Sequence, residues 1–200
     1  YLHFQYNGVF TFGVLSLFFG LLDERGVVLD PRLVKRFGYL VLLSCFPAYF
    51  LSTLWAKPGL TFNILGLIAA IMQLIALYYF ILLIRSIPSL LINRISSTAK
   101  LLFVVAFLSF ITKLILQALS AHPYMAQLAY EIRNYVMAYL HLVLLGMISS
   151  FLLGWCMEQQ WIRKPTLLIV MLFLIGFVGT ELTLITPIPS AGSLINSTNL

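Results

Sequence analysis

Charged residues are scarce in this chain of 200 residues, making up 9% of it, whereas hydrophobic residues make up 62%. A water-soluble domain carries about 25% charged residues. The composition therefore excludes such a domain, and the mean hydropathy of +1.02 indicates that the solvent is lipid. The net charge of +6 does not indicate nucleic-acid binding, because the basic residues lie in loops between apolar runs.

Cysteine and histidine are also rare, with two and three residues respectively. Cys45 and Cys156 both fall within apolar runs, where a free cysteine behaves as a small hydrophobic residue. They therefore predict neither a disulfide framework nor a C-x-x-C metal site. The chain begins at Tyr1 without an initiator methionine, so we expect a processed product or a fragment, and no signal peptide can be identified.

Long apolar runs dominate the rest of the chain, and a membrane helix needs about 20 mostly apolar residues. Six runs meet this requirement: 2–22, 37–55, 61–84, 99–120, 134–157 and 166–186. We therefore predict an all-α, polytopic transmembrane helix bundle of about six spans, forming one domain over 1–186, with a polar tail at 187–200. Asp30 and Pro31 predict an N-cap and first helical position, so that the second helix begins in the loop. Pro47 predicts a kink within that span.

Lys and Arg residues are distributed unevenly between alternate loops. One set of loops carries nine of them and the other set carries two, Lys57 and Arg133. The positive-inside rule places the first set in the cytoplasm. The sequence thus predicts a multi-pass protein of a bacterial inner membrane with both termini outside.

A layer of polar residues is predicted at membrane depth, where such residues are costly and tend to face the interior of a bundle. Helical rise places Lys113 and Glu181 about 21 and 22 Å from the cytoplasmic starts of their helices, level with His141. Asn7 and Gln117 complete this layer. We expect Lys113 and Glu181 to pair across the fourth and sixth spans.

Two glycines in the last span, Gly176 and Gly179, lie near Glu181. Small residues let the backbones of membrane helices approach each other closely. We therefore expect a neighbouring helix to pack against these two positions.

Two segments resemble motifs of the heme–copper oxidases, in the branch that includes the bacterial nitric oxide reductases. The segment from His3 to Phe10, HFQYNGVF, resembles the H-x-x-x-E-G-x-W motif of their catalytic subunit. The segment from Tyr139 to Gly146, YLHLVLLG, is similar to the H-x-x-x-x-G helices that carry heme ligands in that family. The resemblance implies that His141 and His3 bind a heme cofactor, and that His3 is a ligand of copper or non-heme iron.

The same segments depart from the family pattern in ways that limit the expected function. Asn7 stands where the motif has an acidic residue, Phe10 stands in place of the tryptophan, and there is no His-His pair. Three histidines cannot supply both heme axial ligands and a copper site. We therefore predict no catalytic residues and expect no respiratory catalysis by this chain alone.

Three functions remain open on the sequence. The chain is one half, or one subunit, of an oxidase-subunit-I-like protein that binds heme or copper, whose partner is another membrane subunit or a missing half of the same protein. Alternatively, it is a non-enzymatic accessory or scaffold subunit of a membrane complex. A third alternative is a small transporter that uses Lys113 and Glu181 as a proton or ion relay.

Overall fold

The structure is a computed structural model that describes residues 2–56, 59–89, 95–162 and 167–186. All regular structure within these residues is helical, and they contain no strand. The all-α helix bundle predicted from the apolar runs is therefore confirmed. The predicted polar tail at 187–200 lies outside the described residues.

The helices are named here in chain order, and two of them contain a π-helical segment. The π-helical segments are Phe4–Phe10 at the start of α1 and Leu142–Ser149 within α7. A 3-10 turn covers Leu54–Ala56, between α3 and α4. The full set is α1 (Phe4–Glu24), α2 (Pro31–Cys45), α3 (Ala48–Leu51), α4 (Leu60–Arg85), α5 (Ser97–Leu119), α6 (Pro123–Glu131), α7 (Arg133–Glu158) and α8 (Leu167–Ile185).

Five helices, α1, α4, α5, α7 and α8, are long and apolar enough to cross a membrane. They match five of the six predicted spans within a few residues. Their exposed surfaces carry large apolar side chains, such as Leu60, Tyr78 and Leu168. Such surfaces suit a lipid bilayer, since lipid leaves apolar side chains without the cost of contact with water. The chain is thus a membrane protein.

The span predicted at 37–55 differs from the structure at both ends. The helix begins earlier, at Pro31, because the side chain of Asp30 accepts a hydrogen bond from the Arg32 N–H and caps it, as expected. It ends at Cys45, so the region of Pro47 is a break between α2 and α3 rather than a kink in one helix. Proline causes this break because it has no N–H to donate and its ring clashes with the preceding turn.

The interrupted α2–α3 segment nevertheless returns the chain to the end of the bundle where α1 begins. The His3 Nε2 atom lies 3.0 Å from the backbone oxygen of Cys45. At the opposite end, Arg25 lies 2.8 Å from the Glu158 carboxylate. We call these the His3 end and the Arg25 end. Helices α1, α5 and α7 each run between the two ends.

The Arg25 end is fixed by polar contacts between three helices. Arg25 Nη2 and the Ser96 N–H both donate to the Glu158 carboxylate, to Oε2 at 2.8 Å and to Oε1 at 3.1 Å. Gln159 Nε2 donates to Glu24 Oε2 at 2.6 Å. These bonds join the last turn of α1, the first turn of α5 and the last turn of α7.

Aromatic side chains fill the middle of the bundle, whereas α8 lies at its periphery. The Phe80 ring on α4 lies 5.0 Å from the Phe110 ring on α5, and Phe151 of α7 is fully buried nearby. Helix α8 packs mainly on α7 and buries only Val170 and Phe177. The position of α8 on α7, away from the centre, determines which polar groups can meet.

Candidate functional site

His3 is held at both of its ring nitrogens. Nε2 lies 3.0 Å from the Cys45 oxygen, and Nδ1 lies 3.1 Å from Nδ2 of Asn7. Because the Asn7 amide nitrogen can only donate, Nδ1 accepts this bond and Nε2 carries the proton that it donates to Cys45. The tautomer follows from these partners. Neither nitrogen can bind a metal unless one of the two hydrogen bonds is broken.

Asn7 connects this histidine to α7. Its Oδ1 accepts a hydrogen bond from the Tyr139 hydroxyl at 3.3 Å. The contacts from Cys45 through His3 and Asn7 to Tyr139 therefore join α2, α1 and α7. The sequence contains Tyr139 within the second motif, but nothing in it indicated that the hydroxyl meets Asn7. Nor did it reveal the Cys45 carbonyl, which is free to accept from His3 because α2 ends there.

Both motif segments lie at π-helical turns. The hydroxyl of Thr11 donates to the Tyr6 carbonyl at 2.7 Å, and the hydroxyl of Ser150 donates to the Leu145 carbonyl at 3.0 Å. Each bond reaches five residues back, as the π-helical repeat does. Such turns are rare and are frequently found at functional sites. Within the described residues, the two segments singled out by their histidines are thus also those that contain π-helical turns.

Lys113 is enclosed by the bundle, with 2% of its surface exposed. Its Nζ donates to Thr11 Oγ1 at 3.2 Å and lies 5.7 Å from the centre of the Phe110 ring. The only ion pair within the described residues joins Arg25 and Glu158. Since Glu181 is itself a described residue, the predicted pair between Lys113 and Glu181 is wrong.

The reason for this error is the position of α8. Helical rise gives the height of a residue in the bundle but not the neighbour that its helix packs against. Helix α8 packs mainly on the first half of α7, whereas α5 packs on the second half of α7. Glu181 therefore interacts electrostatically with His141, not with Lys113.

Four side-chain polar atoms are buried without a hydrogen-bond partner within the described residues. They are Gln73 Oε1, Gln117 Oε1, His141 Nδ1 and Glu181 Oε1. Buried polar atoms are usually satisfied, so each such atom needs an explanation, for example a bound group. The His141 and Glu181 atoms are of most interest because the two residues interact electrostatically and lie on helices that pack together.

The predicted residues thus form separate groups rather than one layer. His3 and Asn7 are together, Lys113 lies with Thr11, and His141 lies with Glu181. In the part of the chain that the structure describes, no three His, Cys, Asp or Glu side chains are grouped so as to hold a metal ion.

Within the described residues no helix approaches Gly176 or Gly179 closely, because a Cβ at either position would meet nothing within 4 Å there. The close contact is at Gly146 instead. A Cβ there would lie 2.5 Å from Ser109 Oγ on α5 and 2.8 Å from Phe177 Cζ on α8. The last glycine of the second motif is therefore where three helices meet.

Comparisons of this chain with protein-family models, curated proteins and solved structures give no match. The resemblance to the heme–copper oxidases consequently rests on the two motif segments alone.

Proposed function

We propose that this chain is part of an oxidase-subunit-I-like membrane protein in which the ring of His141 would hold a heme. The other ligands come from a further membrane subunit or from another part of the same protein. Within this proposal the chain binds and orients the cofactor and does not carry out oxygen chemistry alone. A bound heme would supply electron transfer or the binding of a small gas.

The observation that supports this proposal is the free ring of His141. Its Nδ1 is buried without a partner, and the ring makes no hydrogen bond within the described residues. A histidine that only stabilised packing would be expected to have its ring nitrogens satisfied, as His3 does. His141 also lies directly before the π-helical segment of α7, where it is half-buried.

Of the two histidines predicted as ligands, His141 could hold a heme without breaking an existing hydrogen bond, whereas His3 could not. His3 would have to give up its bond to Cys45 or to Asn7, so its role as a heme, copper or iron ligand stays a prediction. Two cavities in the described part, of about 10 and 60 Å³, are far too small for a porphyrin, and His141 lines neither. A heme held by His141 would therefore occupy neither of these two cavities.

The localisation that we propose is a bacterial inner membrane, with the Arg25 end in the cytoplasm. The uneven distribution of Lys and Arg between the loops supports this orientation. Since the chain crosses back at α2–α3, both termini then lie outside. The proposed heme would accordingly lie in the outer half of the bilayer, at the depth of His141.

An absorbance spectrum of the purified protein tests the proposal. From cells with ample heme supply, wild-type protein is expected to show a Soret band, and a pyridine hemochrome assay then gives the heme content. His141→Ala should lose the heme, whereas His122→Ala should keep it, because His122 is exposed outside the spans. Wild-type protein isolated without heme under these conditions would contradict the proposal.

An accessory or scaffold subunit is the second candidate, and the bonds of His3 favour it. A histidine with both nitrogens used inside the protein ties α1 to α2 and, through Asn7, to α7. If this is its whole role, His3→Ala should lower the thermal stability of the protein and leave any bound heme unchanged. Loss of heme at unchanged stability would instead favour a ligand role. The transporter alternative stays a prediction, although Lys113 and Glu181 form no ion pair with each other within the described residues.

A further inference from the structure

Three basic side chains lie in the first two turns of α2, at the Arg25 end of the bundle. Arg32, Lys35 and Arg36 are all exposed, and we call them the basic cluster. Their spacing of three and four residues puts them on one face of the helix. Within the described residues none of them forms an ion pair. The cluster is therefore a patch of exposed cations without a carboxylate partner.

The stability of α2 does not explain the place of the basic cluster. The N-terminus of a helix carries a partial positive charge, so cations in its first turns are unfavourable. The carboxylate of Asp30 is already used there, because it accepts a hydrogen bond from the backbone N–H of Arg32. A bound anion would be attracted both by the helix terminus and by the basic side chains.

Arg36 is positioned by Tyr79 on the neighbouring helix α4. Its Nη1 atom donates to the Tyr79 hydroxyl at 3.4 Å, and its guanidinium carbon lies 5.8 Å from the centre of the Tyr79 ring. A guanidinium has five N–H groups in a planar fork, so the others can bind the oxygens of a phosphate group. The Tyr79 hydroxyl accepts from Arg36 and can donate its own proton to the same phosphate.

The face of α2 that carries the basic cluster continues toward the His3 end as an apolar surface. Tyr39, Leu43 and Phe46 follow Arg36 at intervals of three or four residues, so they share its face. Their exposed fractions are 63%, 58% and 66%. From Arg36 to Phe46 the chain rises about 15 Å, which is half of a hydrocarbon core of ~30 Å. The face thus combines cations at one end with apolar surface over the depth of one leaflet.

We infer that this face of α2, together with Tyr79, binds one anionic phospholipid. The phosphate group lies at the basic cluster, and an acyl chain lies along Tyr39, Leu43 and Phe46. Basic residues at a membrane surface attract anionic lipids, and the adjoining apolar surface favours a lipid over a free phosphate. This inference does not depend on heme binding.

Lipid binding by the detergent-solubilised protein tests the inference. The protein is titrated with phosphatidylglycerol, or with phosphatidylcholine of the same acyl chains, and the bound lipid is counted by native mass spectrometry. The wild type should bind one phosphatidylglycerol in preference to phosphatidylcholine. Lys35→Gln and Arg36→Gln should each weaken phosphatidylglycerol binding roughly fivefold and leave phosphatidylcholine binding unchanged. Arg36→Lys keeps the charge but loses the planar fork, so it should weaken binding less than Arg36→Gln.

The matched control is Arg85→Gln in the last turn of α4. The rings of Phe37 and Phe80 are 5.4 Å apart, and five residues along each antiparallel helix lead to Arg32 and Arg85. Arg85 is therefore an exposed cation at the height of the basic cluster. It lies about 120° around α4 from Tyr79, however, and so outside the proposed site. Arg85→Gln should bind phosphatidylglycerol as the wild type does.

Three outcomes would overturn the inference. If Arg85→Gln weakened phosphatidylglycerol binding as much as Arg36→Gln, diffuse surface charge would account for the binding. Equal affinity of the wild type for the two lipids would exclude recognition of an anionic headgroup. Glycerol phosphate has no acyl chain, and if it bound as tightly as phosphatidylglycerol, the occupant would be a free phosphate compound instead of a lipid.

Discussion

Replacing Gly146 with alanine is the most direct test of how α5, α7 and α8 pack. The added Cβ would lie 2.5 Å from Ser109 Oγ, 3.1 Å from Ser109 Cβ and 2.8 Å from Phe177 Cζ. Ordinary contacts between carbon atoms are about 3.5–4.0 Å. Because the clash involves side chains on two different helices, one rotamer change cannot relieve it. We expect α5 or α8 to be displaced from α7.

The magnitude follows from two opposing terms. Overpacking a well-packed core costs about 1–3 kcal/mol. Replacing glycine with alanine in a helix returns up to about 1 kcal/mol of backbone propensity. If the full propensity gain is realised, the net loss in the free energy of unfolding for Gly146→Ala should be up to about 2 kcal/mol. The variant should then be about 1–3 kcal/mol less stable than an alanine variant at an uncrowded glycine.

Helix α8 offers matched controls for this experiment. Gly176→Ala and Gly179→Ala add the same methyl group where nothing lies within 4 Å. They should leave stability unchanged or raise it by up to about 1 kcal/mol. Unfolding by SDS in mixed micelles, followed by circular dichroism, measures all three variants. If Gly146→Ala proved as stable as the two controls, the packing described at this glycine would be refuted.

Three further predictions concern the polar groups and the orientation. Lys113→Met should leave the free energy of unfolding unchanged or raise it in the same assay. Lys113 has no acidic partner within the described residues, and burying its cation is costly. A decrease of several kcal/mol in the free energy of unfolding would instead indicate an anionic partner outside the described residues. Arg25→Met should destabilise the protein by about 1–3 kcal/mol, because it leaves the buried Glu158 carboxylate with one hydrogen-bond donor. Combining Arg25→Met with Glu158→Gln should recover part of this loss. Additive effects of the two substitutions in a double-mutant cycle would count against the contact. In a cysteine-free background, Ser97→Cys and Tyr124→Cys should be labelled from opposite sides of the membrane, with Tyr124→Cys outside; labelling of both from one side would contradict the proposed orientation.

The sequence was sufficient to predict the class of fold. A segment of about 20 mostly apolar residues is long enough to span the bilayer. Within lipid it forms a helix, because every backbone polar group must be satisfied inside the segment. Five of the predicted spans match helices of the structure for this reason. The start of α2 was also predictable, since Asp30 and Pro31 act locally on the first turn. Its end was not, because the break near Pro47 depends on what the freed carbonyl of Cys45 can meet.

The sequence indicated which polar residues to consider as candidate site residues, but not which of them interact with each other. Helical rise predicts that His141, Lys113 and Glu181 lie at one depth, which suggested a shared layer. Which groups meet depends on how each helix is rotated and on which neighbours it packs against, and apolar residues all around a helix leave little sequence signal for either. Glu181 therefore interacts electrostatically with His141 and forms no ion pair with Lys113.

The tertiary structure also decided which glycine permits close packing. Gly176 and Gly179 have the spacing of a contact face, yet they lie on the open side of α8, whereas Gly146 lies where three helices meet. Composition and periodicity determined that this chain folds as helices in a membrane, because those properties act within single segments. Partners across helices were decided only by packing, because the van der Waals contacts that select one neighbour over another exist only once the helices are assembled.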